Sequence, residues 1–284
     1  MKTIRVLSLG AGVQSTCLYL MYMQGLITPT IDAAIFADVG DEPQAVYRHV
    51  EWLKSIGGPP LMVRSKGRIS DDLARGENST GQRFASIPAF TAEVEGERSG
   101  MVQRQCSKEY KIEVIERTIR RELFGCEPGR PLASNQSVVQ VIGISLDEAS
   151  RADRIAANST RAGWEVSFPL IERNMSRADC VRWLAENGNV PHEVTRSACV
   201  FCPYHSDSEW VKIKENPADW AHAVEVDARL RSEGVILNRS MDQKLYVHRS
   251  CHPLDQVEFK PEPERERALQ LLMNWECVEG VCGV

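Results

Sequence analysis

Residues 4–20 read IRVLSLGAGVQSTCLYL, and this stretch decides the fold. The apolar run 4–9 has the length and branching of a buried strand. It breaks at Gly10-Ala11-Gly12-Val13-Gln14-Ser15-Thr16, after which Cys17, Leu18, Leu20 and Met21 follow helical spacing. Strand, glycine-rich turn and helix make a phosphate-binding geometry. Glycines admit a close backbone, and the first N–H groups of a helix have no intrahelical partner and point at an anion. Ser15 and Thr16 add hydroxyl donors, and Ser8 lies just ahead of the loop. The plainer reading of the same residues is a βα turn that holds two glycines. No lysine precedes Ser15-Thr16, which excludes a Walker loop, and the third glycine of a dinucleotide fingerprint is absent.

Outward from this stretch, strand and helix patterns alternate. Residues 31–38 form a second apolar run that ends in Asp38, Asp41 and Glu42. Ligands of parallel sheets sit outside the carboxyl ends of strands, so a carboxylate here accepts a ribose hydroxyl or holds Mg²⁺. A solvated acidic turn is the alternative. Residues 45–56 read as a helix and 61–63 as a third strand. Residues 64–104 are polar and poorly periodic, and predict a loop with one short helix. Cys106 stands among Arg104, Lys108 and Lys111. Neighbouring cations favour the thiolate, the form that ligates metal or attacks; an incidental cysteine at a helix start fits the local sequence too. Residues 138–144, VVQVIGI, are a β-branched strand. A helix capped by Ser176 with Asp179 three residues on, and stopped by Gly188, closes this part.

The chain has 284 residues, 43% of them hydrophobic, enough for one sizeable core with or without a smaller appended part. A net charge of −5 excludes a basic nucleic-acid binder overall and leaves room for a local basic face. No run of about 18 apolar residues predicts a membrane span. The chain enters a strand at once, so no signal peptide is expected and a cytoplasmic location is. Nine cysteines then point to metal or thiol chemistry rather than a disulfide framework. Cys17, Cys126 and Cys180 read as buried hydrophobes.

Cys199-Val200-Phe201-Cys202 is a CxxC, a turn that points two sulfurs the same way. It fits an iron–sulfur cluster, a zinc site with His205 as a further ligand, a redox pair, or structural thiols. At the end of the chain, Cys277 and Cys282 flank a glycine-containing tail. They fit a thiol nucleophile, a cluster ligand, a disulfide pair, or a plain terminus.

Several of these motifs carry a resemblance to a known family. Residues 10–15 resemble the PP-loop of ATP pyrophosphatases, serine-glycine-glycine-x-aspartate-serine, with Gly10 in place of the first serine and Gln14 in place of the aspartate. Residues 36–42 are similar to its phenylalanine-x-aspartate-threonine-glycine-x-glutamate motif, through Phe36, Asp38, Gly40 and Glu42. Arg104, Cys106 and Lys108 resemble an arginine-x-cysteine followed by lysine. Gly143, Glu148, Ser150 and Arg154 resemble glycine-x-arginine-x-x-glutamate-serine-x-x-arginine, with Ser145 where an arginine is usual. In order and spacing the set is similar to the phosphoadenosine phosphosulfate (PAPS) reductase-like branch of the adenine-nucleotide α-hydrolases. The layout most resembles iron–sulfur sulfurtransferases of DNA phosphorothioation and tRNA thiolation.

The resemblance implies an α/β fold, a doubly wound, mostly parallel sheet (PP-loop, HUP-like) with a small cysteine-bearing part. The expected division is 1–189 for the nucleotide domain and 190–284 for the remainder. It implies an enzyme that binds ATP with Mg²⁺, cleaves between the α- and β-phosphates, adenylates an acceptor and transfers sulfur to it. The nucleotide site would comprise Ser8, Gly10, Ala11, Gly12, Gln14, Ser15, Thr16, Asp38, Gly143, Glu148 and Arg154. Cys106, Cys199 and Cys202 would hold a [4Fe–4S] cluster, with zinc as the alternative. Arg104, Lys108, Cys277 and Cys282 would be catalytic. The implied partners are ATP, a sulfur donor such as a cysteine desulfurase or sulfide, and a nucleic-acid or nucleotide acceptor, and the chain could pair as a homodimer. Two competing expectations are a PAPS-type reductase that uses Cys277 and a nucleotide- and metal-binding module without turnover. His248 and Arg249, in a motif of uncharacterised relatives, are expected to meet an anionic substrate.

Overall fold

A computed structural model describes residues 2–76, 87–102, 104–159, 161–232 and 243–260. Its centre is a five-stranded parallel sheet. Strands β1 (Lys2–Ser8), β2 (Ala33–Asp38) and β3 (Leu61–Ser65) lie on one side in the order β3-β2-β1. Two later strands, β6 (Gln136–Ile142) and β7 (Trp164–Ser167), continue beyond β1 as β1-β6-β7. All four strand pairs are parallel, and Ile4 stands opposite Val138 across the β1–β6 seam.

Period-two alternation sends side chains to two different cores. Leu7, Ala34, Phe36 and Val141 point to one face. There they meet the apolar stripes of α1 (Val13–Met23), α2 (Gln44–Ser55) and α7 (Arg177–Asn187). Ile4, Val6, Ile35, Ala37 and Val138 point to the other face. They pack on Val114, Ile115 and Ile119 of a continuous helix over residues 107–123, whose middle is α4 (Glu113–Thr118) and whose two ends have wider, π-type turns. Helix α5 (Ala149–Asn158) covers the same face beside β6 and β7. Helices on both faces of a parallel sheet make this a doubly wound α/β architecture, as expected. The order reverses at β1–β6, which places a topological switch point at the carboxyl end of β1.

The segment 64–104 differs from the expected loop. It holds α3 (Ile69–Arg75) and the strands β4 (Ala89–Ala92) and β5 (Arg98–Val102). With β8 (Lys244–Tyr246) these make a three-stranded antiparallel sheet ordered β5-β4-β8. This sheet packs with α3, the CxxC turn, α8 (Asp207–Lys214) and α9 (Pro217–Arg231) around Trp210, Phe201 and Leu245. The second core therefore draws on both sides of residue 189, because β4 finds its partner more than 150 residues away. Just past β7 lies a short helix, α6 (Pro169–Glu172), which Pro169 starts. Ser176 and Asp179 form the expected capping box of α7. No helix among the described residues is long and apolar enough to cross a membrane.

Candidate nucleotide and thiol site

The loop after β1 opens onto the switch point. Its left-handed residue is Ala11, with φ 57°, a conformation that costs a non-glycine about 1 kcal/mol. No side chain caps α1 at Gly12, and its first turn has no acidic residue. A Cβ built on Gly12 would meet nothing within 4 Å, so open space faces the start of the helix. Uncapped N–H groups beside open space are what an anion needs.

Gly143, the first residue past β6, closes the other side. A Cβ there would lie 2.9 Å from the Ser15 nitrogen and 3.0 Å from its Cα, so only glycine lets the two strand ends approach this closely. The approach brings the two loops into one polar network. Gln14 Nε2 donates to Glu148 Oε2 at 3.2 Å and to Ser145 Oγ at 3.4 Å. Arg151 Nη1 donates to Glu148 Oε1 at 2.9 Å, and Arg177 Nη1 to Gln14 Oε1 at 3.0 Å. Arg151 is buried, whereas the expected Arg154 lies on the exposed side of α5. Arg177 escaped sequence reading, since the first residue of a distant helix carries no local signal of a site.

Three loop residues have other employment. Ser15 Oγ donates back to the Gly12 carbonyl at 3.2 Å. Ser8 Oγ accepts from Gln140 Nε2 at 2.8 Å across the strand seam. Thr16 is fully buried, and its Oγ1 lies 2.8 Å from His49 Nε2, so it anchors α1 to α2 rather than meeting a ligand. His49 Nδ1 in turn lies 2.9 Å from His192 Nε2. Burial, and then the charge of His192, hold the His49 imidazole down to a pKa of about 4.

The end of β2 builds a second, drier cluster. Asp38 accepts from the Gly40 N–H at 2.8 Å and from the Tyr47 hydroxyl at 2.9 Å. Burial and then the Asp38 charge push the Tyr47 phenol up. Asp41 is a buried crossroads. It accepts from Arg68 Nε at 2.7 Å, from the Ser70 N–H and hydroxyl at 2.8 Å each, and lies 2.8 Å from His222 Nε2. Burial alone would raise its pKa; the bonds from His222, Ser70 and Arg68 win and hold it below the usual value. Its carbonyl also accepts from the Val200 N–H at 2.8 Å, which ties the CxxC turn to the sheet.

Glu42 is buried beside it and accepts from Lys111 Nζ at 3.0 Å. Its second oxygen, Oε2, is buried and has no hydrogen-bond partner. Burial pulls the Lys111 ammonium down, but the charges of Glu42, Cys199 and Cys106 raise it overall. The Cys199 thiol is pushed well up by burial, then by Glu42 and Cys106, with Lys111 opposing and Cys202 adding. Cys106, Cys199 and Cys202 thus share one neighbourhood, at the start of helix 107–123 and in the CxxC turn. The soft donor set suits a thiophilic metal or cluster. As they stand, no three His, Cys, Asp or Glu side chains among the described residues are placed to hold a metal ion together. His205, weighed as a zinc ligand, donates from Nε2 to the Cys199 carbonyl at 2.8 Å and so braces the turn from behind.

Arg104 stacks its guanidinium 5.6 Å from the Tyr204 ring centre, and Lys108 is exposed on the helix. His248 and Arg249, expected to meet an anionic substrate, both lie against the buried Asp207 carboxylate of α8, at 3.4 Å and 2.9 Å. Cys277 and Cys282 lie outside the described residues.

Fold and crevice define the class: a doubly wound α/β protein with a polar site at the switch point of its parallel sheet. No protein-family model matches the chain, and no curated protein is significantly similar to it in sequence.

Proposed function

We propose that the chain is a PP-loop-type ATP pyrophosphatase that works as a sulfurtransferase on a nucleic-acid or nucleotide acceptor. The contact between Gly143 and the first turn of α1 carries this reading, since it sets an uncapped helix start and the Gln14–Glu148 pair on one crevice. In this reading the N–H groups of residues 11–15 take the phosphates, Glu148 with Gln14 positions Mg²⁺, and Asp38 takes the ribose. Arg151 and Arg177 keep Glu148 and Gln14 in place. An acceptor oxygen attacks the α-phosphorus, the bond to the β-phosphate oxygen breaks, and pyrophosphate leaves. Arg104 and Lys108 offset the charge that builds on phosphorus. A sulfur nucleophile then bonds to the acceptor carbon, and the carbon–oxygen bond breaks with AMP as leaving group. Cys106, Cys199 and Cys202 would hold a [4Fe–4S] cluster, or zinc, which when bound supplies thiophilic chemistry beside the nucleotide. Lys111 favours the thiolates such a group requires.

The test is anaerobic purification with iron and acid-labile sulfide quantified, followed by assay of AMP and pyrophosphate from ATP with nucleic acid and sulfide. Wild type should carry iron and sulfide that Cys106→Ala and Cys199→Ala lose, and should form AMP that Gln14→Ala reduces at least tenfold. In a parallel assay with PAPS and a dithiol as the two-electron reductant, sulfite released without ATP turnover would assign the reductase chemistry instead. Nucleotide bound but never turned over would assign a binding module.

A further inference from the structure

A cleft of about 400 Å³ runs along helix 107–123. Glu113, Glu116, Arg117, Arg120 and Arg121 recur in it at i, i+3, i+4, i+7 and i+8, one face of the helix. The opposite face, Val114, Ile115 and Ile119, is buried on the sheet. Lys66 and Arg130 complete the basic lining.

Two of the three lining carboxylates are committed, and the third, Glu127, is exposed and forms no ion pair among the described residues. Glu113 accepts from Lys66 at 3.0 Å, and Glu116 is paired with Arg161, which stands outside the cleft. Glu122, one residue past the lining, is held by Arg64 of β3 through two donors. Arg117 donates to the Ser65 carbonyl at 3.2 Å. Arg117, Arg120, Arg121 and Arg130 form no ion pair among the described residues, the neighbouring Glu113, Glu116 and Glu122 being paired with Lys66, Arg161 and Arg64. Four such guanidiniums in one concavity stand out on a chain of net charge −5. Forked guanidinium donors match phosphate oxygens.

We infer that this cleft docks the phosphate backbone of a nucleic acid. Apart from Gly129, every lining residue is charged, so the cleft has no aromatic or apolar platform for a base. It is built to contact phosphates, which position a strand without reading its sequence. The geometry connects it to the thiols. Cys106 begins the helix that carries Arg120, and at ~1.5 Å per residue the two are about 20 Å apart along its axis. About six nucleotides of one strand, at ~3.4 Å each, cover that span. A strand gripped by the arginines thus reaches the cysteine end with its reacting nucleotide. That last step rests on the proposed function; the docking itself does not.

The test is fluorescence anisotropy of labelled duplex DNA and of a structured RNA with the full chain, without ATP, over a salt series. Two variants are compared with wild type: Arg120→Ala/Arg121→Ala/Arg130→Ala, and Arg121→Ala/Arg130→Ala, which alters only exposed side chains and keeps the test valid if the first misfolds. At least one nucleic acid should bind. The triple variant should lose at least tenfold in affinity, and its plot of log affinity against log salt should flatten by about 0.7–0.9 per arginine removed. A wild type that binds neither polymer, variants with unchanged affinity and slope, or equally tight binding of pyrophosphate alone would overturn the inference. Arginine-dependent binding without AMP formation would overturn the enzymatic reading and leave the cleft assigned. AMP formation without arginine-dependent binding would do the reverse.

Discussion

The ends of β1 and β2 sit on the same edge of one sheet, yet their polar groups are arranged differently. At β1, Gln14 and Glu148 are half-exposed and hold one another through a single neutral-to-charged bond of 3.2 Å. Such a bond exchanges readily for a ligand, because water satisfies either partner when they part. At β2, Asp41 and Glu42 are only 2% and 3% exposed, and their partners come from α3, α9, helix 107–123 and the CxxC turn. Removing Glu42 or Lys111 strands the other's charge where water cannot reach it. One strand end is suited to admit a ligand; the other locks the cysteine-bearing segment against the sheet.

The sharpest way to break this comparison is Glu42→Ala, which leaves Lys111 buried and unpaired. It should cost about 3–5 kcal/mol in urea denaturation, and Lys111→Met added to it should recover much of the loss. A cost under about 1 kcal/mol would mean that the β2 cluster is no tighter than the β1 loop.

The next effect tests the rear anchor of that loop through pH. His49 is held at about 4 in the folded chain against an ordinary 6.5, so between these values the unfolded chain binds more protons. Stability should therefore decline as pH falls below about 6.5 and lose about 3 kcal/mol by pH 4. His49→Gln should flatten the profile in this window. An equally steep profile in the variant would move the pH sensitivity to other groups.

The smallest effect separates packing from ligand space. Gly143→Ala should cost about 1–3 kcal/mol and weaken ATP binding, because its Cβ meets the Ser15 backbone. Gly12→Ala, facing open space, should leave stability within about 0.5 kcal/mol while still weakening ATP binding. Equal stability losses in thermal melts of the two variants would show that the loop has no open side.

Much of the parallel sheet was legible because its signals are local. Apolar runs, a glycine-rich turn, and Ser176 with Asp179 each act within a few residues. The antiparallel sheet was not legible. Strand β4 has four residues, β8 has three, and each makes sense only beside the other. Among the loop residues, Thr16 misled because a hydroxyl at a helix start looks like a donor to phosphate. Its use is decided by His49, 33 positions on. Arg151 and Arg154 are equally basic in sequence; helix phase against β6 decided which one turns inward to Glu148.

By itself the sequence determined the alternation of strand and helix and the glycine-rich break after β1, since periodicity and backbone freedom are properties of neighbouring residues. It also determined which thiols stand near cations or in a CxxC. Only the tertiary structure decided that Gly143 meets Ser15, that Asp41 and Glu42 gather the CxxC turn and Lys111, and that Arg177 completes the crevice. Those contacts join residues tens to more than a hundred positions apart, and chain packing, not local preference, supplies the free energy that brings them together.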